Sequence, residues 1–400
     1  MSGIVGDFVL VINAGSSSLK YQLLEPGSGD VLASGLLERI GQTSGQATHR
    51  TPDGLWERTT PIADHSAAFA LMQELFAESG WSRERLVLAA VGHRVVHGGS
   101  LFRAPVIVDD AVLQQIRQVA PLAPLHNPAN IIGLEQAIAS FPDVPQVAVF
   151  DTAFFADLPA AAAAYALDTA VAQRYQVRRY GFHGTSHEYV SGLVPGLLGR
   201  EPAEVNQIVL HLGNGASVSA IRGGRAVETS MGMTPLEGLV MGTRTGDIDP
   251  GVLLHLLRTG DFTVDQLDEL LNRRSGVLGL AGISDFRDLA ARVDAGDEAA
   301  ALALDVYCHR IRKYLGAYLA VLGEVHAVTF TAGVGENAAG VRAMVMAGLH
   351  RLGMSVDPDR NDRRSAEPRV ISPDGSPVAV LVVPTNEELA IARAAAALLH

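Results

Sequence analysis

The sequence has one cysteine and lacks an uninterrupted apolar stretch of membrane-spanning length. Because Cys308 is alone, no internal disulfide framework can form. The most apolar long segment, Leu315 to Val334, contains Glu324 and several glycines, so we expect no membrane span. The N-terminal apolar run Ile4 to Ile12 is interrupted by Asp7 and follows no basic segment, which argues against secretion. These absences predict a cytoplasmic protein.

Positive charge is also scarce. The formal net charge is −12, and only two of the 31 basic residues are lysines. Nucleic-acid binding requires clustered cations, so we expect no nucleic-acid partner and predict small-molecule ligands instead. No glycine is followed by lysine and no GxGxxG motif occurs, which excludes a Walker-type P-loop and a dinucleotide fingerprint. A nucleotide must therefore be held by another kind of turn.

Three glycine-containing polar turns follow apolar, strand-like runs. They begin at Asn13 (NAGSSS), His211 (HLGNG) and Thr331 (TAGVGEN). Glycine lets backbone N–H groups approach an anion closely, and serine and asparagine add neutral donors. Three such turns predict a bound nucleotide with several phosphates. Lys20, just beyond the first turn, is either a phosphate ligand or an exposed strand cation.

A strand–turn–strand pattern occurs twice, half a chain length apart. The first copy comprises Phe8–Ile12, Gly15 and Leu19–Leu24, and the second comprises Val205–Leu212, Gly215 and Ala216–Ile221. Duplicated halves that share one cleft explain this spacing, and coincidence is the alternative. The chain of 400 residues is long enough for two hydrophobic cores. We predict an α/β protein with one half at 1–150 plus 385–400 and the other at 151–384.

Other segments have recognisable helix or strand patterns. Thr263 begins a capping box, and Asp297 to Leu322 carries apolar residues at helical spacing. Val378 to Val383 is strand-like, and Ala390 to Leu399 predicts a terminal helix. We interpret these segments as scaffold.

Two arginines lie in settings unlike a solvated surface. Arg94 lies in an apolar segment ahead of Gly98-Gly99, and Arg244 lies in a glycine-rich polar loop. Guanidinium groups bind carboxylate and phosphate oxygens in a planar, bidentate geometry. We therefore predict that both arginines bind an anion that accepts a phosphoryl group. The alternative for each is a buried salt bridge to a carboxylate such as Asp247.

His126 and His183 lie in tight turns framed by proline or glycine. Such framing fixes the direction of the imidazole, which can stabilise charge on a transferring phosphoryl group. Each is alternatively a structural histidine, which is how we interpret His97 and His187. No HExxH motif or cysteine cluster predicts zinc.

Two carboxylates complete the candidate chemistry. Asp151 follows a predicted strand, and Glu387 stands in the segment PTNEE. Magnesium prefers hard oxygen ligands, which Glu387 and the amide oxygen of Asn13 would supply beside phosphate and water. The alternative for Glu387 is a stabilising charge at a helix N-terminus.

Nine segments of the chain carry a family resemblance. They read VLVINAGSSSLKY, VGHRVVHGG, PLHNP, FDTAF, RRYGFHGTSH, HLGNGASV, TPLEGLVMGTRTGDIDPG, TAGVGENAAGVR and PTNEELAIAR. Together they resemble the acetate kinase family over nearly the whole chain. The resemblance implies two duplicated actin-like (ribonuclease H-like) α/β domains with an ATP cleft between them, as in the superfamily of acetate and sugar kinases, Hsp70 and actin. It also implies a homodimer.

The activity implied by the resemblance is reversible transfer of a phosphoryl group from ATP to acetate, giving ADP and acetyl phosphate. The catalytic residues implied by motif are Asp151, His183 and Arg244. Because acetate is already ionised at neutral pH, no base is needed to activate it. We therefore expect direct in-line transfer without a covalent enzyme intermediate.

The resemblance also implies the binding residues. Magnesium, or manganese in its place, would be held by Asn13 and Glu387. Acetate would be bound by Arg94, Val96, Leu125, His126, Phe182 and Pro235. ATP would be bound by Lys20, His211, Leu212, Gly213, Asn214, Gly215, Asp285, Phe286, Arg287, Gly333, Val334, Gly335, Glu336 and Asn337.

The sequence departs from the family pattern at Phe155, where histidine is common, and in the segment after Leu167. Neither change removes a residue with an implied role. One alternative function is a propionate or butyrate kinase, because one methylene changes discrimination by only about 1–3 kcal/mol. A non-catalytic nucleotide switch of the actin or Hsp70 type is disfavoured, since it has no need for Arg94 and Arg244.

Overall fold

The computed structural model describes residues 4–81 and 86–399, and the chain divides into two units. The first comprises Met1–Ala156 and Asn386–His400, and the second comprises Asp157–Thr385. Residues 151–156 thus belong to the first unit and Thr385 to the second, whereas the sequence prediction assigned them the other way round. The residues before Ile4, which entered the argument against secretion, lie outside the described part of the chain.

The first unit is built on an eight-stranded sheet of order β5-β4-β3-β2-β1-β6-β8-β7. Strands β1 to β5 form an antiparallel meander, whereas β6 runs parallel to β1 and β8 runs parallel to β6. The short β7 closes the edge antiparallel to β8. The strands are β1 (Ile4–Ala14), β2 (Ser18–Leu24), β3 (Val31–Glu38), β4 (Gly45–Thr51), β5 (Gly54–Thr60), β6 (Leu86–Val95), β7 (Val106–Ile107) and β8 (Gln146–Phe150).

Helices cover this sheet. They are α1 (His65–Glu78), α2 (Asp110–Val119), α3 (Asn127–Ser140) and the C-terminal helix α15 (Glu387–Ala397). Successive residues of a strand face opposite sides. Leu10 and Ile12 therefore pack in the same core as α1 and α3, whereas Gly92, which lies opposite Val11 on β6, faces α15. A β-carbon on Gly92 would lie 2.8 Å from Cγ2 of Ile391, so α15 rests directly on the sheet backbone.

The second unit is built on a six-stranded sheet of order β11-β10-β9-β12-β14-β13. Strands β9 to β11 are antiparallel, β12 runs parallel to β9 and β14, and β13 is antiparallel to β14. The series β3-β2-β1-β6-β8 and β11-β10-β9-β12-β14 thus have the same order and directions. The strands are β9 (Asn206–Leu212), β10 (Ala216–Arg222), β11 (Arg225–Thr229), β12 (Ala327–Thr331), β13 (Arg369–Val370) and β14 (Ala379–Val382).

The second unit carries helices α4 to α14. They are α4 (Ala160–Ala163), α5 (Thr169–Arg174), α6 (Gly184–Leu198), α7 (Pro250–Thr259), α8 (Val264–Arg273), α9 (Gly276–Ala281), α10 (Phe286–Asp294), α11 (Glu298–Leu322), α12 (Ala332–Asn337), α13 (Ala339–Met346) and α14 (Pro358–Asp362). Short 3-10 turns occur at Ala120–Leu122, Ala153–Phe155, Pro202–Glu204 and His350–Leu352. The predicted capping box at Thr263 and the predicted helix ending at Leu322 are confirmed.

Two local predictions were wrong. The third glycine segment is not a turn, because α12 begins at Ala332 directly after β12, and Ala332 adopts a left-handed φ of 64°. The terminal helix begins at Glu387 rather than Ala390, since the side chain of Asn386 caps it by accepting from the backbone of Leu389. In the two described ranges, no helix has both the length and the hydropathy needed to cross a membrane.

Candidate active site

The first unit holds an arginine close to two carboxylates. Arg94 lies in β6 and Asp151 directly follows β8, which is the parallel neighbour of β6. Nε and Nη2 of Arg94 donate to Oδ1 and Oδ2 of Asp151 at 3.0 and 2.5 Å. Oε2 of Glu387, in the first turn of α15, lies 3.6 Å from Nε of Arg94. Arg94 therefore does form the salt bridge to a carboxylate that the sequence analysis left open as its alternative, and Asp151 is the partner.

Arg94 remains a cation in this setting. Burial lowers the pKa of its guanidinium, but the charges of Asp151 and Glu387 outweigh burial and raise that pKa above its ordinary value. The side chain of Asp151 is 1% exposed, whereas that of Arg94 is 20% exposed. No described residue accepts a hydrogen bond from Nη1 of Arg94, so this edge of the guanidinium can bind an anionic ligand.

The start of α15 also contacts β2, the strand that follows the first glycine turn. Nζ of Lys20 forms an ion pair with Oε1 of Glu388. Asn13 lies opposite Lys20 in the β1–β2 pair, so both side chains share one face of the sheet. Strand alternation puts that face on the side of α15. The fold thereby places Asn13 and Glu387, which are far apart in sequence, on the same side of one sheet.

Two asparagines hold the PLHNP turn that precedes α3. The side chain of Asn127 bridges the backbone of His97 by accepting from N at 3.0 Å and donating to O at 2.9 Å. Asn130 accepts from the backbone of Val96 at 3.0 Å and donates to the carbonyl of Ala14 at 2.8 Å. Sequence reasoning missed both residues, although their place in the HNPAN segment was visible. They tie the first glycine turn and the segment after Arg94 to one helix start.

In the second unit, His183 lies at the N-terminus of α6 with a left-handed φ of 56°. Its Nδ1 lies 2.9 Å from Oγ of Ser217 on β10. The ring of His183 stacks on that of His211, with centroids 4.2 Å apart. Nδ1 of His211 lies 2.8 Å from Oγ of Ser186. These contacts fix the orientations of both predicted histidines.

The second glycine turn lies against His183 and Arg244. A β-carbon on Gly215 would lie 3.3 Å from Nε2 of His183 and 3.8 Å from Nη1 of Arg244. The Arg244 loop packs on the same turn, because the amide of Gly242 donates to the carbonyl of Asn214 at 3.0 Å. The predicted phosphate turn and two predicted catalytic side chains are therefore neighbours.

Arg244 has no carboxylate partner among the described residues. Its Nη1 donates to the carbonyl of Pro235 at 3.1 Å, and burial lowers its pKa. Asp247 instead accepts from the backbone of Gly238 and from the hydroxyl of Tyr314, both at 2.9 Å. The salt bridge to Asp247 considered for Arg244 is therefore wrong. The loop presents a half-buried cation whose charge is not neutralised.

Family comparison identifies the chain. The profile described as "Acetokinase family" matches residues 8–393. The chain belongs to the acetokinase family. An acetate kinase of Streptomyces avermitilis is 58% identical over 387 residues, which is 96% of each chain.

Solved structures of the acetokinase fold agree with this assignment. A Porphyromonas gingivalis acetate kinase has a TM-score of 0.91 at 42% identity and covers 97% of this chain and 98% of its own. A propionate kinase of Francisella tularensis has a TM-score of 0.91 at 37% identity and covers 98% of this chain and 99% of its own. The predicted fold, two duplicated actin-like α/β halves, is confirmed. As an acetokinase family member, the chain is a phosphotransferase with a carboxyl group as acceptor.

The third glycine segment, predicted to bind nucleotide, is braced by a fully buried arginine. Arg342, 1% exposed, donates to the carbonyls of Gly335 and Glu336 at 2.9 Å and to Oδ1 of Asn361 at 2.7 Å. Burial is the main reason that its pKa falls to about 10. Sequence reasoning missed Arg342, although it stands in the string TAGVGENAAGVR.

The predicted nucleotide residues 285–287 lie on a separate element of the acetokinase fold. Asp285 caps α10, and its carboxylate pairs with the exposed Arg287. The ring of Phe286 packs against Tyr307 of α11, with centroids 4.7 Å apart. The contacts of these residues are with α10 and α11, so their role in binding ATP stays a prediction.

Proposed function

We propose that this protein catalyses reversible transfer of the γ-phosphoryl group of ATP to acetate, giving ADP and acetyl phosphate. Arg244 carries the proposal. It is a half-buried cation with no carboxylate partner among the described residues, beside a glycine turn and Nε2 of His183. A site that stabilises charge on a transferring phosphoryl group needs this combination of fixed donors.

Acetate binds through Arg94. Asp151 occupies one edge of the guanidinium and holds its plane, and the remaining N–H groups bind the acetate carboxylate. Asp151 thus acts by positioning Arg94, since an ionised acceptor needs no base. Val96, Leu125, His126, Phe182 and Pro235 contact the rest of acetate, and of these Val96 and Phe182 are buried apolar side chains.

ATP binds through the glycine turn at 211–215, the start of α12 and residues 285–287, with Lys20 near the phosphates. The stacked His183 and His211 support this placement, because His183 then faces the second turn. His183 and Arg244 donate to the oxygens of the transferring group. Transfer is direct and in line, with orientation and charge stabilisation lowering the barrier.

Magnesium is the proposed cofactor, with manganese as the alternative. Among the described residues no group of three or more His, Cys, Asp or Glu side chains is arranged to hold a metal. Magnesium bound to a nucleotide needs only one or two protein oxygens, and Asn13 and Glu387 share one side of the sheet. Lys20 neutralises Glu388, which leaves Glu387 as the acidic ligand. Bound magnesium would offset the phosphate charges.

Trapping of acyl phosphate with hydroxylamine tests the proposal. The purified protein is given ATP and magnesium with acetate, propionate or butyrate, and we expect hydroxamate with acetate as the preferred acid. Similarity to a solved propionate kinase makes propionate the informative comparison. Preference for propionate would reassign the acceptor. Absence of hydroxamate with every acid would reject the phosphotransferase proposal.

A homodimer in the cytoplasm is the proposed form. Helix α7 buries none of its residues. Its apolar side chains Val252 and Leu254 are 39% and 51% exposed, and Ile248 just before the helix is 37% exposed. Apolar exposure of this kind favours a protein partner, for which a second copy of the chain is the candidate. In light scattering after gel filtration, Leu254→Glu is expected to convert dimer to monomer. An unchanged dimer would place the interface elsewhere.

A further inference from the structure

Four side chains in the second unit form a hydrogen-bond series that ends at His183. Its members are His183, Ser217, His187 and Ser219. Oγ of Ser217 lies 2.9 Å from Nδ1 of His183 and 2.7 Å from Nε2 of His187. Oγ of Ser219 lies 2.7 Å from Nδ1 of His187. Three consecutive hydrogen bonds therefore connect Ser219 to His183.

The periodicities of α6 and β10 bring these four side chains together. His183 and His187 are four residues apart at the start of α6 and share one helix face. Ser217 and Ser219 are two residues apart on β10 and share one face of the sheet. Ser217, His187 and Ser219 are all 0% exposed, so no solvent competes for these hydrogen bonds.

Counting the available hydrogen atoms shows which atom donates and which accepts at each bond of this hydrogen-bond series. Burial, and secondarily His211, hold the pKa of His187 well below its ordinary value, so its ring is neutral and has one N–H. His187 is the only described hydrogen-bond partner of the Ser219 hydroxyl. If His187 carried its proton on Nδ1, the buried hydroxyl hydrogen of Ser219 would have no acceptor, which is costly.

If His187 instead carries its proton on Nε2, every polar hydrogen in the series has an acceptor. Ser219 donates to Nδ1 of His187, Nε2–H of His187 donates to Ser217, and the Ser217 hydroxyl donates to Nδ1 of His183. We propose that Ser219, His187 and Ser217 are positioning residues that keep Nδ1 of His183 unprotonated and its proton on Nε2. Nε2 is the atom beside Gly215, so His183 offers a donor toward the second glycine turn.

Tautomer measurement tests the proposal without relying on activity. Protein labelled with ¹⁵N-histidine is examined by long-range ¹H–¹⁵N correlation at neutral pH, and His183 is assigned with His183→Gln. We expect a bare Nδ1 and a protonated Nε2. Ser217→Ala is expected to give a tautomer mixture. The control Thr329→Val removes a buried hydroxyl without a described partner from β12, which β9 separates from β10, and should leave His183 unchanged. An Nδ1–H tautomer or an imidazolium in the unsubstituted protein would overturn the proposal.

Kinetic measurements test whether this hydrogen-bond series contributes to catalysis. This kinetic test rests on the proposed function. Ser217→Ala is expected to lower kcat for acyl phosphate formation about 10- to 100-fold, as loss of an orienting partner does elsewhere, with KM for ATP and acetate unchanged. Ser217→Thr, which keeps the hydroxyl, should restore kcat. Unchanged kcat in a folded Ser217→Ala protein would reject the positioning role. Failure of the unsubstituted protein to form any acyl phosphate would reject the proposed function, while the ¹⁵N spectra still decide the tautomer.

Discussion

At the residue scale, two arginines predicted to bind anions have opposite electrostatic settings. Arg94 is held by Asp151 and Glu387, which raise its pKa, whereas burial without a carboxylate lowers the pKa of Arg244. A paired arginine is a rigid, oriented donor. An unpaired, half-buried cation is instead stabilised when a highly charged group arrives, so the two residues suit acceptor binding and transition-state stabilisation respectively.

Arg244→Ala is expected to lower kcat by about 10²- to 10³-fold while KM for ATP changes little, because the lost interaction forms mainly in the transition state. Steady-state hydroxamate assays at varied ATP measure both constants. The exposed Arg351→Ala, in the 3-10 turn His350–Leu352, is the control and should behave as the unsubstituted protein. Equal losses in kcat and ATP binding would reject a transition-state role for Arg244.

Arg94→Lys is expected to raise KM for acetate by about 10- to 100-fold, because lysine keeps the charge but loses the bidentate pairing with Asp151. KM for ATP should stay unchanged. Arg117→Lys is the matched control, since its ion pair with Glu135 is exposed on both sides. A KM for acetate equal to that of the control would mean that Arg94 does not bind the acceptor.

The sequence indicated which residues belong to the candidate site more readily than it indicated which residues they contact. The glycine and proline frames around Arg244, His126 and His183 are local and were readable. The pairing of Arg94 with Asp151 spans 57 residues and that of Asn130 with Ala14 spans 116, so only the sheet register creates them. For this reason sequence reasoning could name Arg94 but left open whether it had a carboxylate partner.

At the element scale, α15 connects scaffold to candidate metal site. Its first turn contributes Glu387 and Glu388, and its body rests on β6 at Gly92. The prediction put the start of this helix at Ala390 because it relied on the apolar residues. The helix begins earlier, at Glu387, because the polar side chain of Asn386 caps it. The third glycine segment was misjudged for a related reason: glycines indicate a turn, but Ala332 adopts the left-handed conformation and α12 follows.

Gly92→Ala is expected to destabilise the protein by about 1–3 kcal/mol, because the added methyl group would overlap Ile391 and push α15 off the sheet. Apparent magnesium affinity should weaken with it, since Glu387 moves with the helix. Gly316→Ala in α11 is the control. Nothing lies within 4 Å of its added methyl group, so it should stabilise by about 0.4–1 kcal/mol. Urea unfolding and magnesium titration of activity measure the two effects, and unchanged magnesium affinity in Gly92→Ala would separate α15 from the metal site.

At the scale of the whole molecule, the two sheets repeat one topology. The half-length repeat predicted this, because each copy is a local hairpin followed by a long excursion to a parallel neighbour. The unit boundaries could not be predicted as well, since residues 151–156 leave β8 without any change in composition. Each unit also carries buried histidines outside the predicted chemistry, and these make its stability depend on pH.

His49 and His93 in the first unit both have pKa values lowered to about 4 by burial. His49 lies between Tyr21 and Ser79, and His93 pairs with Gln146. The unfolded chain binds protons at these histidines near their ordinary pKa of about 6.5, but the folded chain does not bind them until about 4. Stability is therefore full above pH about 6.5 and falls as pH drops toward 4, with a slope of up to about 1.4 kcal/mol per pH unit for each histidine.

Both tryptophans, Trp56 and Trp81, lie in the first unit, so their fluorescence reports its urea unfolding. We expect the free energy of unfolding to decrease between neutral pH and pH about 5, and we expect His93→Asn to flatten that decrease by removing one titrating group. The exposed His255→Gln should keep the slope of the unsubstituted protein, because this substitution removes no buried imidazole. A slope that His93→Asn leaves unchanged would show that His93 takes up its proton in the folded state, and the low pKa assigned to burial would then be wrong.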